Sequence, residues 1–198
     1  MGTTDGSSNS RCGSAHDWLT DAREIDQAVY SAVAHTPTPA LDRGMSALSR
    51  AANYSRLWMT SSAALALLGG RPGRRAAVEG LTSVAVTSAV VNLAVKRIWR
   101  RQRPDRAGQE VPVARQVRMP TSLSFPSGHS AAAFAFATGV GTRLPGVAVP
   151  LHAVAGVVAY SRVHTGVHLP SDVVVGSVLG TVLAQLTTRA LDHYLAGS

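Results

Sequence analysis

The stretch Pro126-Ser127-Gly128-His129-Ser130-Ala131-Ala132-Ala133-Phe134-Ala135-Phe136-Ala137-Thr138-Gly139-Val140-Gly141-Thr142 places a proline turn, a glycine and a histidine directly before an uncharged run. An amphipathic helix would repeat a polar stripe with period 3.6, and a half-buried strand would alternate. Ser130 to Thr142 does neither, so it reads as a helix apolar all round. Its Ala, Gly, Ser and Thr content lets helices approach closely within a membrane. Four similar runs flank it: Leu57 to Gly70, Ala77 to Val95, Val147 to Tyr160 and Val173 to Leu186. Each falls short of the roughly 20 residues that cross a bilayer core and reaches that length when extended into its flanks. The separators Arg71-Pro72-Gly73-Arg74-Arg75 and Arg143-Leu144-Pro145-Gly146 read as tight turns between antiparallel neighbours. The expectation is an all-α, integral-membrane helical bundle of five to six spans with the active site at one end.

Composition agrees with that class. Of 198 residues, 45% are hydrophobic and 15% charged, and the charges gather between the apolar runs. A soluble helical protein would interleave the two. A soluble bundle of buried helices is the alternative, given a mean hydropathy of only +0.11. The net charge of +8 falls on no basic helix face and no nucleic-acid motif, which points away from nucleic acid and toward membrane lipids and a phosphorylated substrate. The single cysteine, Cys12, excludes an internal disulfide and a cysteine metal site. Met1 to Ser10 is polar and has neither a secretory pattern nor the Ser or Thr at position 6 that myristoylation favours.

Four regions follow. Residues 1–16 read as a disordered tail, 17–56 as amphipathic N-terminal helices, 57–190 as the transmembrane domain and 191–198 as a short tail. Within Asp17 to Ala34 the residues Trp18, Ala22, Ile25, Val29 and Val33 recur at helical spacing, fitting a helix at a membrane surface or against the bundle. Thr36-Pro37-Thr38-Pro39 ends it.

Counting crossings from Leu57 brings the segments Lys96 to Phe125 and Ser161 to Asp172 to one end, together with Pro126-Ser127-Gly128-His129. Lys96 is the only lysine. It precedes Arg103-Pro104 by seven positions, and Ser161-Arg162 is followed by His168 and Asp172. A transferring phosphoryl group spreads negative charge over three oxygens and needs fixed positive donors. Lys96, Arg103 and Arg162 supply them, Gly128 admits the backbone, Ser127 offers a hydroxyl, and the helix start beside them favours anions. His168 and Asp172 are four apart across a proline-initiated helix start, so the carboxylate can hold one ring nitrogen protonated and leave the other free to attack phosphorus. His129 can then protonate the leaving oxygen and later deprotonate water. This chemistry predicts a phosphohistidine intermediate and requires neither metal nor cofactor. His16, His35, His152 and His193 read as outside the site, and His164, by its loop position, lies nearer to it, with contact to substrate the lesser of its two readings.

Together these blocks, Lys96 with six residues to Arg103-Pro104, Pro126-Ser127-Gly128-His129, and Ser161-Arg162 with five to His168 and three to Asp172, resemble the type 2 phosphatidic acid phosphatase superfamily. The likeness covers roughly Leu57 to Leu186. It implies His168 as nucleophile, Asp172 as its orienting partner, His129 as general acid, and Lys96, Arg103, Ser127, Gly128 and Arg162 as phosphate ligands. It also implies about six spans, one more than the five clear runs.

The expected function is metal-independent hydrolysis of a lipid phosphate, either phosphatidate-like or a polyprenyl phosphate or diphosphate, in a multi-pass cell-membrane protein. The alternatives are a vanadium haloperoxidase-like oxidase and a non-catalytic lipid-phosphate binder. Arg97, Arg100, Arg101, Arg106, Arg115 and Arg118 at the motif end favour a cytoplasmic site by charge counting. Resemblance to polyprenyl diphosphate recycling favours the opposite side, and the sequence leaves both open, as it does the lipid and the oligomeric state. Asp105 to Ser124 reads as either a headgroup-selecting lid or a plain solvated loop.

Overall fold

The structure, a computed structural model, describes residues 15–197, so the expected N-terminal tail lies, up to residue 14, outside the described residues. The described chain is all-helical. Its seven helices are α1 (Ala15–His35), α2 (Pro39–Ala51), α3 (Arg56–Leu68), α4 (Gly70–Ile98), α5 (Gly128–Arg143), α6 (Pro145–His164) and α7 (Pro170–Ala196). The five apolar runs fall within α3 to α7, and α4 widens into a π turn at Val91–Val95 just before Lys96.

The breaks between helices are shorter than the sequence suggests. Arg71 to Arg75, expected as a turn, lie inside the first turns of α4, and the chain reverses at Gly69 and Gly70. Gly70 has φ +58°, which glycine adopts without steric cost. Pro72 is tolerated there because N–H groups in the first turn have no helical acceptor to lose. Only Leu144 separates α5 from α6, with Pro145 opening the new helix in the same way.

α5 forms the centre. Ala131, Ala133, Ala135, Phe136, Ala137 and Val140 are buried, packed among α4, α6 and α7. Trp58 on α3 lies against Phe136 with ring centroids 5.1 Å apart. Each large side chain so buried contributes about 2–3 kcal/mol. α7 approaches α5 backbone to backbone at Gly176 and Gly180, where a Cβ would sit 2.5 Å from the Ser127 carbonyl oxygen and 2.1 Å from that of Ala131. Glycine at these two positions, one turn apart, therefore holds the Ser127 turn against the start of α7.

The outer faces are apolar. Val174, Val178, Val182 and Leu186 form an exposed stripe at four-residue spacing on α7, and Val78, Val86 and Leu93 are exposed on α4. Three helices, α4, α6 and α7, are long and apolar enough to cross a membrane, while α3 and α5 have 13 and 16 residues. α1 is amphipathic. Trp18, Ile25 and Val29 are exposed, whereas Asp26, Tyr30 and Ala34 face the bundle and are buried.

Candidate active site

The C-terminal end of α4 and the N-terminal ends of α5 and α7 meet around a cavity of about 360 Å³. Of the eight site residues expected from sequence, Lys96, Arg103, Gly128, His129 and His168 line it. Asp172, Ser127 and Arg162 lie behind its wall. The Lys96 ammonium donates to the Ser122 hydroxyl at 3.2 Å, and nothing but that nitrogen comes within 4 Å of where a Gly128 Cβ would stand. The α5 backbone at Gly128 is therefore open to a ligand.

His168 is positioned on both sides of its ring. Its Nδ1 lies 3.3 Å from Asp172 Oδ2, so the Nδ1–H donates to the carboxylate. That leaves Nε2 with its lone pair directed to the cavity, where Arg103 donates to it at 3.3 Å. An incoming phosphate oxygen that takes over the Arg103 N–H frees this lone pair for attack. Burial, the largest cause, together with the charges of Arg103 and Arg162 pushes the His168 imidazole down to about 4 against the opposing bond to Asp172, so the ring is neutral near pH 7.

Asp172 is over-determined. Its Oδ2 accepts from the Leu169 backbone N–H at 3.1 Å, capping α7, and from the Ser124 hydroxyl at 2.5 Å. Its Oδ1 accepts from Arg101 at 3.1 Å. Arg101 in turn donates to Asp26 on α1 at 2.6 Å, and Asp26 also accepts from the Ser171 N–H at 2.7 Å. A charged chain thus runs from α1 through Arg101 to the carboxylate behind His168.

His129 donates from Nε2 to Asn53 Oδ1 at 2.9 Å. Asn53 opens a tight turn whose next two residues, Tyr54 and Ser55, both have φ near +55° (55° and 57°), and Tyr54 and Ser55 line the cavity. Ser127 is fully buried, and its hydroxyl oxygen accepts from the Ser130 N–H and hydroxyl, capping α5. Arg162 donates to the Ser49 carbonyl at 3.1 Å and to its hydroxyl, and its Nε is buried without a partner among the described residues.

Sequence reasoning missed Ser124, Arg101, Asp26 and Asn53. Ser124 is one of three hydroxyl residues between Pro120 and Phe125, and Arg101 one of many arginines, so neither stands out. Asp26 falls off the apolar stripe of α1, and nothing in its sequence neighbourhood marks it as buried.

Two readings left open by the sequence are decided here. His164 does not face the cavity: its Nε2 lies 3.1 Å from Asp42 Oδ1, it is 1% exposed, and its Nδ1 is sealed without a partner among the described residues. The 105–124 segment is not a plain solvated loop. Arg115, also 1% exposed, donates to Asp42 at 2.8 Å and to the Val33 and Thr36 carbonyls at the α1–α2 corner, while Val111 and Val117 are buried beside it. Only its end, Pro120 and Ser122, reaches the catalytic cavity.

Comparison with known proteins agrees with this architecture. A family model described as the PAP2 superfamily matches residues 76–194. The chain is 35% identical over 165 residues to a decaprenylphosphoryl-5-phosphoribose phosphatase of Mycobacterium tuberculosis, covering 80% of this chain and 84% of that protein. The Mycolicibacterium smegmatis protein of the same name is 34% identical with the same coverage. Among solved structures, a transmembrane PAP2-type phosphatidylglycerolphosphate phosphatase from Bacillus subtilis superposes with TM-score 0.65 at 25% identity, covering 88% of this chain and 87% of that one. LpxE of Aquifex aeolicus shares the fold at TM-score 0.65 and 22% identity, covering 83% of this chain and 95% of that one.

Proposed function

This chain belongs to the PAP2 superfamily, and from that premise we propose that it is a membrane lipid phosphatase cleaving a terminal phosphate monoester from a polyprenyl-phosphoryl sugar phosphate or a closely related lipid. The observation that carries the reading is the geometry of His168: one ring nitrogen is tied to Asp172, and the other opens onto a cavity lined by Lys96, Arg103 and His129.

In the first step His168 Nε2 attacks phosphorus and the P–O bond to the lipid alcohol breaks. His129, taking up a proton as the phosphate dianion enters among the cations, gives it to the departing oxygen, so the lipid leaves as an alcohol. His129, now neutral, takes a proton from water. The resulting hydroxide attacks the phosphohistidine, the P–N bond breaks and inorganic phosphate leaves. Lys96, Arg103 and the N–H groups at the start of α5 stabilise the charge that builds on the three equatorial oxygens, and Arg162 behind the wall adds its positive field. Asn53 holds the His129 ring in place, and Asp172 stabilises positive charge on His168.

The placement proposed in the membrane follows from the outer faces. α3 to α7 cross the bilayer as five spans, with the shorter α5 enclosed by α4, α6 and α7 and the shorter α3 packed against α4, and α1 lies at the interface with Trp18 and Ile25 toward lipid. The relatives' names support a polyprenyl-linked substrate over phosphatidate.

The test is phosphate release by the full chain in neutral detergent with EDTA present, across decaprenylphosphoryl-5-phosphoribose, phosphatidylglycerolphosphate, phosphatidate and undecaprenyl diphosphate. Release from the first two above the others, abolished by His168→Gln, is the expected result. No release from any of the four by folded protein overturns the reading.

A further inference from the structure

Across one wall of the catalytic cavity lies a second cavity of about 440 Å³. The two share Asn92, Lys96 and Ser122, and the second adds Arg97, Arg100 and Thr121. Of the other arginines of this end, Arg101, Arg103, Arg106, Arg115 and Arg162 donate to protein oxygens, and Arg118 is exposed and lines neither cavity. Arg97 and Arg100 have no hydrogen-bond or ion-pair partner among the described residues. They stand at the C-terminal end of α4, where helix carbonyls favour cations, so free guanidiniums cost the fold little. Lys96, 8% exposed, is the point charge common to both cavities.

We propose, on the basis of the lipid-phosphatase reading, that this second cavity binds a second anionic group of the substrate, a phosphodiester lying between the lipid tail and the scissile monoester. A lipid with a monoester alone would fill the catalytic cavity and leave Arg97 and Arg100 without an anion. A phosphodiester a few bonds away meets both guanidiniums and shares Lys96 with the reacting phosphate. The apolar remainder of such a molecule has a path as well. Leu93, Ile98 and Trp99 are exposed on and just beyond the same end of α4, so the tail leaves the diester directly onto the outer face of the bundle. The order of chemical groups along the substrate, tail then diester then monoester, matches the order of surfaces from the outside of α4 to His168.

The experiment compares two lipids in neutral detergent without other anionic lipid: phosphatidylglycerolphosphate, which has both groups, and phosphatidate, which has only the monoester. For Arg97→Gln with Arg100→Gln, KM for the diester lipid rises about tenfold or more while kcat stays within about twofold, and KM for phosphatidate does not move. An equal rise for both lipids marks general attraction of anionic headgroups and overturns the proposal, as does no rise for either. Both guanidiniums lie at the surface, so the double variant folds. Equilibrium binding of the same lipids to His168→Gln protein, with and without the arginine changes, tests the subsite without turnover. Selective weakening of the diester lipid in that assay, from a parent protein that releases no phosphate from either lipid, leaves the subsite standing and removes the phosphatase reading. Equal binding by the two proteins removes the subsite alone.

Discussion

Two histidine–carboxylate pairs sit at the same end of this molecule, and their histidines, His164 and His168, are one helical turn's spacing apart in sequence. Each ring is 1% exposed, and each has a nitrogen 3.1–3.3 Å from an aspartate oxygen. They differ in what the other nitrogen meets. His168 turns Nε2 to a cation-lined cavity, whereas His164 Nδ1 is enclosed by protein. The carboxylates differ too. Asp172 is held by Ser124, Arg101 and the Leu169 N–H, all of which fix its aim at one ring. Asp42 is divided between His164, Arg115 and Thr38, and these bonds join α2, the 105–124 segment and α6. A buried histidine–aspartate pair is therefore open to a ligand or sealed into the architecture according to what its second nitrogen meets.

The largest expected effect breaks that contrast at its centre. His168→Gln lowers phosphate release more than about 10⁴-fold, the scale for removing a nucleophile from a unit that works together. His164→Gln changes kcat by less than about threefold while lowering the melting temperature in detergent, as expected of a positional rather than chemical role. Steady-state kinetics and thermal melts on both variants check this.

Next comes Arg115→Met, which leaves Asp42 buried with its main charge partner gone. The expected cost is about 3–5 kcal/mol of stability, with activity per folded molecule preserved, read from melting curves beside specific activity. Ser124→Ala removes one donor from Asp172 without touching substrate. It lowers kcat about 10–100-fold with little change in KM, equivalent to the roughly 1–3 kcal/mol of an orphaned buried partner. A fall confined to KM would place Ser124 on substrate instead.

The pH dependence sharpens the comparison further. The folded state holds His168 near pKa 4, while the unfolded chain takes up its proton near the ordinary value of about 6.5. Between those values the unfolded state binds more protons, so His168 makes stability rise with pH across this window, fall on acidification through it, and cease to matter above about 6.5. Stability measured from pH 7 to 4 shows that decline, and His168→Gln flattens it. The acid limb of kcat/KM that belongs to the nucleophile lies near pH 4 for the same reason. The smallest effect is that of Asp26→Asn on α1, which loosens Arg101 and lowers kcat about threefold at unchanged KM. No change in kcat would show that the contact only anchors α1.

Helices and motif blocks were legible because they are local. An apolar run without a polar stripe reports its own burial, so all five runs from Leu57 onward lie in the helices the structure contains. The turns were less legible: Arg71-Pro72-Gly73 looks like a loop, yet proline and arginine are compatible with a helix start. The helical stripe on α1 is legible but the choice between membrane surface and bundle is not, because the stripe says which residues share a face and not what that face meets; Trp18, Ile25 and Val29 turn outward. Asp26 is drawn inward by Arg101, 75 residues away, and His129 is held by Asn53, 76 residues away.

By itself the sequence determined the all-helical class, the clustering of cations at one end and the set of residues able to do phosphoryl chemistry, since these depend on composition, periodicity and spacing along the chain. Only the tertiary structure decided which histidine opens onto the cavity, which aspartates serve it, and which arginines are left unpaired. Those outcomes depend on pairs joined through space across helices, and such pairs leave no periodic trace in either partner's neighbourhood.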